Sequence, residues 1–390
     1  MTAFENPVGP SPAGASEATR RRQDQALELL LEFADRTGLT SDRPPERYLW
    51  TDAFAVCTFL GLDRTDLALR LVDQVHHTLG QHRPDDPRRG WISGLDAGEG
   101  EKHPTRGGLR IGKALPERRP DEPVDERLEW DREGQYFHYL TRWMHALDQV
   151  TRWTGNPRFN IWARELMETA ARAFIVAGGG VGGSGRRMAW KMSVDLSRPL
   201  VASMGQHDPL DGYVTCLQLD ATADALAIGE GPRLVAEAEH FGSMIPPVLA
   251  TADPLGIGGL LTDGWRLEQL RRFGRLDDAP LRDRVLQAVL DGLAAYVRGG
   301  DLQLPPTVRL AFRELGLAIG LAAVPPLREA VRSSPLTDAL ARFVPLREAI
   351  ETFWLDPEHR RVPTWIEHRN INDVMLATSL VPDGYLTLRR

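Results

Sequence analysis

The chain has 390 residues, 42% of them apolar and 26% charged, with 47 basic against 54 acidic side chains and a formal net charge of −7. That balance excludes a disordered polymer and suffices for one large core or two ordinary ones. A mildly acidic chain whose longest arginine run is Arg20-Arg21-Arg22 carries no nucleic-acid footprint, and no stretch approaches the roughly 20 apolar residues that span a bilayer.

Residues 1–18, rich in Pro, Ser and Ala, read as a flexible arm with no apolar core of a signal peptide. A cytoplasmic protein is expected, with one domain over 19–390. From residue 19 onward apolar positions recur at spacings of three and four and strand signals are scarce, so the chain reads as all-α. The first helix, 19–36, is amphipathic; the second, 51–61 (TDAFAVCTFLG), is apolar on nearly every face. Amphipathic 64–80 follows, and then a polar, proline-rich stretch at 81–130. Helix 132–153 is again apolar or small almost all round and is followed by amphipathic 157–175. A second long break, 176–207, contains GGGVGGSG at 178–185, which follows a helix, lacks a Gly-Lys-Ser/Thr ending and so reads as a connector rather than a phosphate cradle. The alternation then resumes: inner-type 209–226, outer-type 231–243, inner 255–271, outer 278–298, inner 307–322, outer 325–353, inner 371–380. Asn156-Pro157, Asp208-Pro209 and Asp253-Pro254 each place a capping side chain before a proline suited to the first helical turn.

A helix with one polar side lies outside; one that is apolar all round is surrounded by protein. Six of each in alternation predict a closed ring of helical hairpins, an (α/α)6 barrel, with the first amphipathic helix closing against the last inner one. An open solenoid or two-domain arrangement is the alternative. Gly258, Gly259, Gly316 and Gly320 suit close helix contacts in such a ring, and the long segments 81–130 and 176–207 are expected to act as lids. Cys57 and Cys216, inside apolar helical patterns, read as buried free thiols. His76 and His77 are adjacent and point apart on a helix, so no metal-ligand spacing is present and neither metal nor cofactor is expected.

The alternating helices, with the segment GQYFHYLTRWMHALDQVTRWTGNPRFNIWARELMETA running from an aromatic inner helix through a T-G-N-P-R turn into an outer one, resemble the six-hairpin superfamily. That superfamily includes many glycoside hydrolases, unsaturated glucuronyl hydrolases and the N-acylglucosamine 2-epimerase group. The resemblance covers nearly the whole chain after residue 19 and implies, by analogy of fold, a small-molecule sugar substrate.

In such a ring the ends of the inner helices at one mouth form the concave surface, here Trp50-Thr51-Asp52, Glu129-Trp130-Asp131, His207 to Asp211, Asp263-Gly264-Trp265, Arg309 and Glu367 to Asp373. Sugars are held by carboxylates and amides while aromatic rings cover their apolar faces. A glycosidase needs a protonated carboxyl and a carboxylate roughly 6.5–9.5 Å apart for inversion. Asp131 and Asp211 are the first choice for that pair, with Glu129, Asp208 and Asp373 in reserve. A sugar 2-epimerase needs two bases flanking one carbon, for which His207 and His368 are candidates, joined by His138. A third reading is a non-catalytic binding or partner protein. Trp130, Trp190, Trp265, Asp208, Asn372 and Asp373 are the expected substrate contacts. Only three of the 47 basic residues are lysines, and two of them, Lys113 and Lys191, sit among apolar neighbours in the lid segments. Because a compact ammonium is not interchangeable with a guanidinium at a tight site, both are candidates to grip an acidic or hydroxyl group of the substrate.

Overall fold

The computed structural model describes residues 17–177, 186–201, 205–275, 279–332 and 334–389. Its six inner helices are Leu49–Gly61, Phe137–Thr154, Asp208–Ala225, Pro254–Arg272, Ala311–Leu321 and Arg369–Leu380. Each packs on the next and the last packs on the first, so they close into a ring, the (α/α)6 barrel. Outside lie Glu17–Arg36, Thr65–Leu79, Pro157–Phe174, Val235–Met244 and Ala279–Gly299. The sixth outer position, expected as one helix over 325–353, is three short ones, Val324–Ala330, Pro335–Ala341 and Pro345–Leu355, each with proline in its first turn. A proline cannot sit inside a helix without losing a hydrogen bond and clashing with the preceding turn, so each one restarts the helix.

Specific bonds close the ring. Glu17–Arg36 packs on Arg369–Leu380, where Arg36 Nη2 donates to Asp373 at 2.7 Å and Arg22 Nη2 to Glu351 at 2.7 Å. Inside, the hydroxyls of Thr58 and Thr378 meet at 2.7 Å between the first and last inner helices. The glycine seam is backbone against backbone: a Cβ on Gly258 would stand 2.1 Å from Gly316 O, and one on Gly320 2.6 Å from Gly258 O. Asn156 and Asp253 cap their helices as expected, at 3.1 and 3.2 Å. Asp208 does not: it is the first helical residue, and His207 occupies the cap position without a capping bond. Both cysteines are buried and free.

Among the described residues the barrel opens at one mouth, at the N-terminal ends of the inner helices. The other end is filled by the chain's own final turns. Tyr385 stacks on Phe54 with ring centroids 4.4 Å apart, while His145 Nε2, Gln149 Nε2 and Gln269 Nε2 donate to Tyr385 O, Gly384 O and Leu386 O at 2.8, 2.7 and 3.0 Å. Among the described residues no helix is long and apolar enough to cross a membrane.

The two long segments stand over the mouth as pinned walls. They add short strands to an otherwise helical fold: Gln135–Tyr136 pairs with Lys191–Met192, which pairs with Pro199–Val201, and Ile175–Ala177 pairs with Arg186–Met188, all antiparallel. The Gln135 side chain accepts from Leu109 N at 2.8 Å and donates to Val194 O at 2.7 Å, tying both segments together. Arg110 pairs with Glu133 and Arg118 with Glu129, each at 2.6 Å and buried. These ties also explain why the second inner helix begins at Phe137 rather than near 132. The arm lies outside the described residues except for Glu17 and Ala18, which are already helical, and the connector 178–185 lies wholly outside them.

Candidate functional site

A cavity of about 900 Å³ opens at the mouth, within the range of ligand pockets. Its walls are aromatic: Trp50 and Tyr48 from the first inner helix and its approach, Tyr136, His138 and Tyr139 from the second, and Trp130 and Trp190 from the two long segments. Tyr48 and Tyr139 share a hydroxyl–hydroxyl bond of 2.6 Å, and the His138 ring lies parallel to Trp190 with centroids 6.0 Å apart. Opposite stand Phe312, Arg313, Ile366, Glu367 and His368.

Polar atoms within these walls lack partners. Asp52 is buried; its Oδ2 accepts from Tyr48 N at 2.9 Å, while Oδ1 faces Arg47 Nη1 at 3.5 Å and accepts no hydrogen bond. Arg47 Nε and Nη1, Thr51 Oγ1 and His138 Nδ1 are likewise buried and unbonded. Such atoms are costly unless a water or ligand group meets them. Burial pushes the Asp52 carboxyl up to about 6 against the opposing pull of Arg47. Burial, followed by the nearby Arg142 charge, pulls His138 down to about 4, so its imidazole is neutral near pH 7.

Of the residues expected at the site, Lys113, Trp130, Asp131, Trp190 and His368 line this cavity. The Lys113 ammonium lies 5.4 Å above the Tyr48 ring, and no described carboxylate pairs with it. His368 is solvent-exposed, edge-on to Phe312 at 5.6 Å. Trp130 is 54% exposed and packs on Trp190 at 4.8 Å.

The others are employed elsewhere. Asp211 lies below the cavity, 3% exposed, accepting from Thr141 Oγ1, from Arg142 Nη1 at 3.1 Å and from Arg266 Nη1 at 3.4 Å. The structure therefore does not bring Asp131 and Asp211 together as a catalytic pair. Burial opposes charge on Asp211, but Arg142 and Arg266 overcome it and hold the carboxyl below its ordinary value. Its neighbours bear the consequence: burial, then the Asp211 charge, pushes Asp208 up to about 7 and Asp263 to about 6. His207 Nε2 donates to Leu249 O at 2.7 Å and does not share the cavity with His368. Lys191 is fully buried and donates to Glu129 O and, at 2.9 Å, to Arg132 O, a tie within the wall. Trp265 is in the core. Asp373 is held by Arg36 in the ring closure, and Asn372 Nδ2 donates to Trp365 O at 3.1 Å. Asp52, which the sequence places at the mouth without a catalytic role, and His138, a lesser candidate base there, are the residues the cavity brings forward; a lone carboxylate in the first turn of the apolar helix TDAFAVCTFLG was a visible signal. No group of three His, Cys, Asp or Glu that could hold a metal ion occurs among the described residues.

A closed ring of six hairpins with one aromatic, carboxylate-bearing mouth defines a protein of the (α/α)6-barrel class. Among solved structures, a GH76 α-mannanase from Bacteroides thetaiotaomicron superposes with a TM-score of 0.52 at 9% identity, over 94% of this chain and 96% of that one. A sugar epimerase from a ruminal bacterium gives 0.48 at 9% identity (93% and 98% covered), and the cellobiose 2-epimerase from Spirochaeta thermophila 0.49 at 14% (94% and 98%). No protein-family model and no curated protein matches the sequence. At such identities the likeness is one of fold, a fold shared with carbohydrate-active enzymes.

Proposed function

We propose that the mouth cavity hydrolyses the glycosidic bond of a small saccharide, with Asp52 as proton donor and Asp131 as the carboxylate that activates water. The observation that carries this reading is Asp52: a buried carboxyl in an aromatic cavity, held up to about 6 by its burial and with one oxygen unbonded. A general acid needs just such a raised value to be protonated near neutral pH. Asp131, on the exposed rim of the same cavity, has access to water. The rings of Trp50, Tyr136 and Trp190 supply faces on which a pyranose can lie.

The test is a panel of nitrophenyl glycosides, beginning with α-mannosides because of the mannanase neighbour. Wild-type protein should release nitrophenol, and Asp52→Asn and Asp131→Asn should each lose about 10²–10⁴-fold in rate. Turnover that survives Asp52→Asn would remove the proposed acid. A second reading, a sugar 2-epimerase, is favoured by one observation: His138, with its free Nδ1, and His368 line the same cavity. Incubation with free sugars in heavy water separates the two. Deuterium entering a sugar carbon without nitrophenol release would establish epimerisation and overturn hydrolysis.

A further inference from the structure

A second cavity, about 580 Å³, adjoins the first and shares Trp130, Tyr136 and Trp190 with it. Beyond that shared wall Val124, Pro199, Leu200 and Val201 form a continuous apolar side, and Arg118, Glu129 and Arg187 complete the lining. Two of its polar side chains are already committed to each other, since Arg118 Nε donates to Glu129 Oε1 at 2.6 Å and Arg118 Nη1 to Glu122 O at 3.2 Å. Glu129 also faces the Lys191 ammonium at 3.4 Å. A second sugar ring would bring several hydroxyls that each need a partner on leaving water, and apart from Arg187 this lining has few to give. Flat or aliphatic apolar groups need none, and they gain free energy in proportion to the area they bury.

From this we infer that the cavity walled by Val124, Leu200 and Val201 is a binding site for an apolar aglycone, an aryl or alkyl group attached to the sugar held in the neighbouring cavity across the Trp130–Trp190 pair. The substrate class is thereby an apolar glycoside rather than an oligosaccharide. The placement of the sugar rests on the proposed function, whereas the apolar site itself does not.

Two measurements keep these apart. First, 2-naphthol, an uncharged aryl alcohol carrying no sugar, is titrated into the full chain by calorimetry. It should bind, and Val124→Asp, a change at a side chain 63% exposed, should weaken binding at least tenfold with the melting temperature unchanged. Second, methyl, butyl and hexyl glycosides of the sugar that is turned over are compared as competing ligands; affinity should rise about fourfold per methylene buried. Naphthol binding without any glycosidase activity would support the apolar site and defeat only the hydrolase reading. Absent naphthol binding, undiminished binding in Val124→Asp, or equal affinity for methyl and hexyl glycosides would each overturn the inference.

Discussion

Replacing Asp211 by Asn tests whether the carboxylate under the cavity serves the fold or the chemistry. In the wild type one charge compensates two buried guanidiniums, those of Arg142 and Arg266, at 3.1 and 3.4 Å. Removing one partner of a buried ion pair costs about 3–5 kcal/mol, because the other charge stays out of water without compensation. Part of that is recovered, since Asp263, already 3.0 Å from Arg266 Nη1, can ionise more readily once Asp211 is neutral. Arg142 has no such second carboxylate bonded to it among the described residues, so the lower end, about 3 kcal/mol, is expected. For 390 residues the unfolding entropy is about 0.8 kcal/mol per degree, and the melting temperature should fall by about 4 °C. Calorimetry at pH 7.5 measures it, and the double variant Asp211→Leu, Arg142→Met should be less damaged than the sum of its singles by 1–3 kcal/mol, to order of magnitude. A melting temperature within about 1 °C of wild type, together with lost turnover, would refute the network and return Asp211 to catalysis.

Four further outcomes follow from the same geometry. Asp208, held at about 7 against an ordinary 3.8, binds a proton more readily folded than unfolded. Its contribution is therefore complete below about pH 4 and lost as pH rises through about 7, so Asp208→Asn should exceed wild type by about 1–2 kcal/mol at pH 5 and by up to roughly 4 kcal/mol at pH 8 in a denaturant titration. Gly258→Ala should cost about 3 kcal/mol or more, because its methyl meets a backbone oxygen at 2.1 Å, whereas Gly259→Ala, whose nearest atom is 4.0 Å away, should be neutral or slightly stabilising. Lys191→Met should destabilise by roughly 2–4 kcal/mol, through lost bonds to Glu129 and Arg132, and Lys113→Met should change substrate KM with little effect on melting. With Asp52 as proton donor, kcat should decline about tenfold per pH unit above about 6; a profile flat from pH 5 to 8 excludes that role.

The helices were legible because burial leaves its mark on every turn. TDAFAVCTFLG has no polar face, so it had to be surrounded, and the proline-marked starts at 157 and 254 placed two boundaries almost to the residue. Local sequence was a poorer guide to the site. Asp211 has the right residue type in the right turn, but its assignment depends on Arg142 and Arg266, two helices contributing from 69 and 55 residues away. Lys191 is similar: nothing near it in sequence shows that its partners are Glu129 and Arg132. Asp52 was visible but indistinguishable from a first-turn carboxylate favoured by the helix dipole until Arg47 and Tyr48 were seen around it. His138 sits in an apolar helix as a core histidine would, and only its unbonded nitrogen beside Trp190 sets it apart.

The final turns around Tyr385, wedged among the inner helices opposite the mouth, make the barrel a cup rather than a tube. A polymer cannot be threaded through a cup, so a ligand enters end first and only one end of it reaches the floor. Whatever goes in also comes out by the same door. On the proposed hydrolysis, substrate arriving and product departing would compete for one passage, and the exit step, as much as any bond broken inside, would govern throughput.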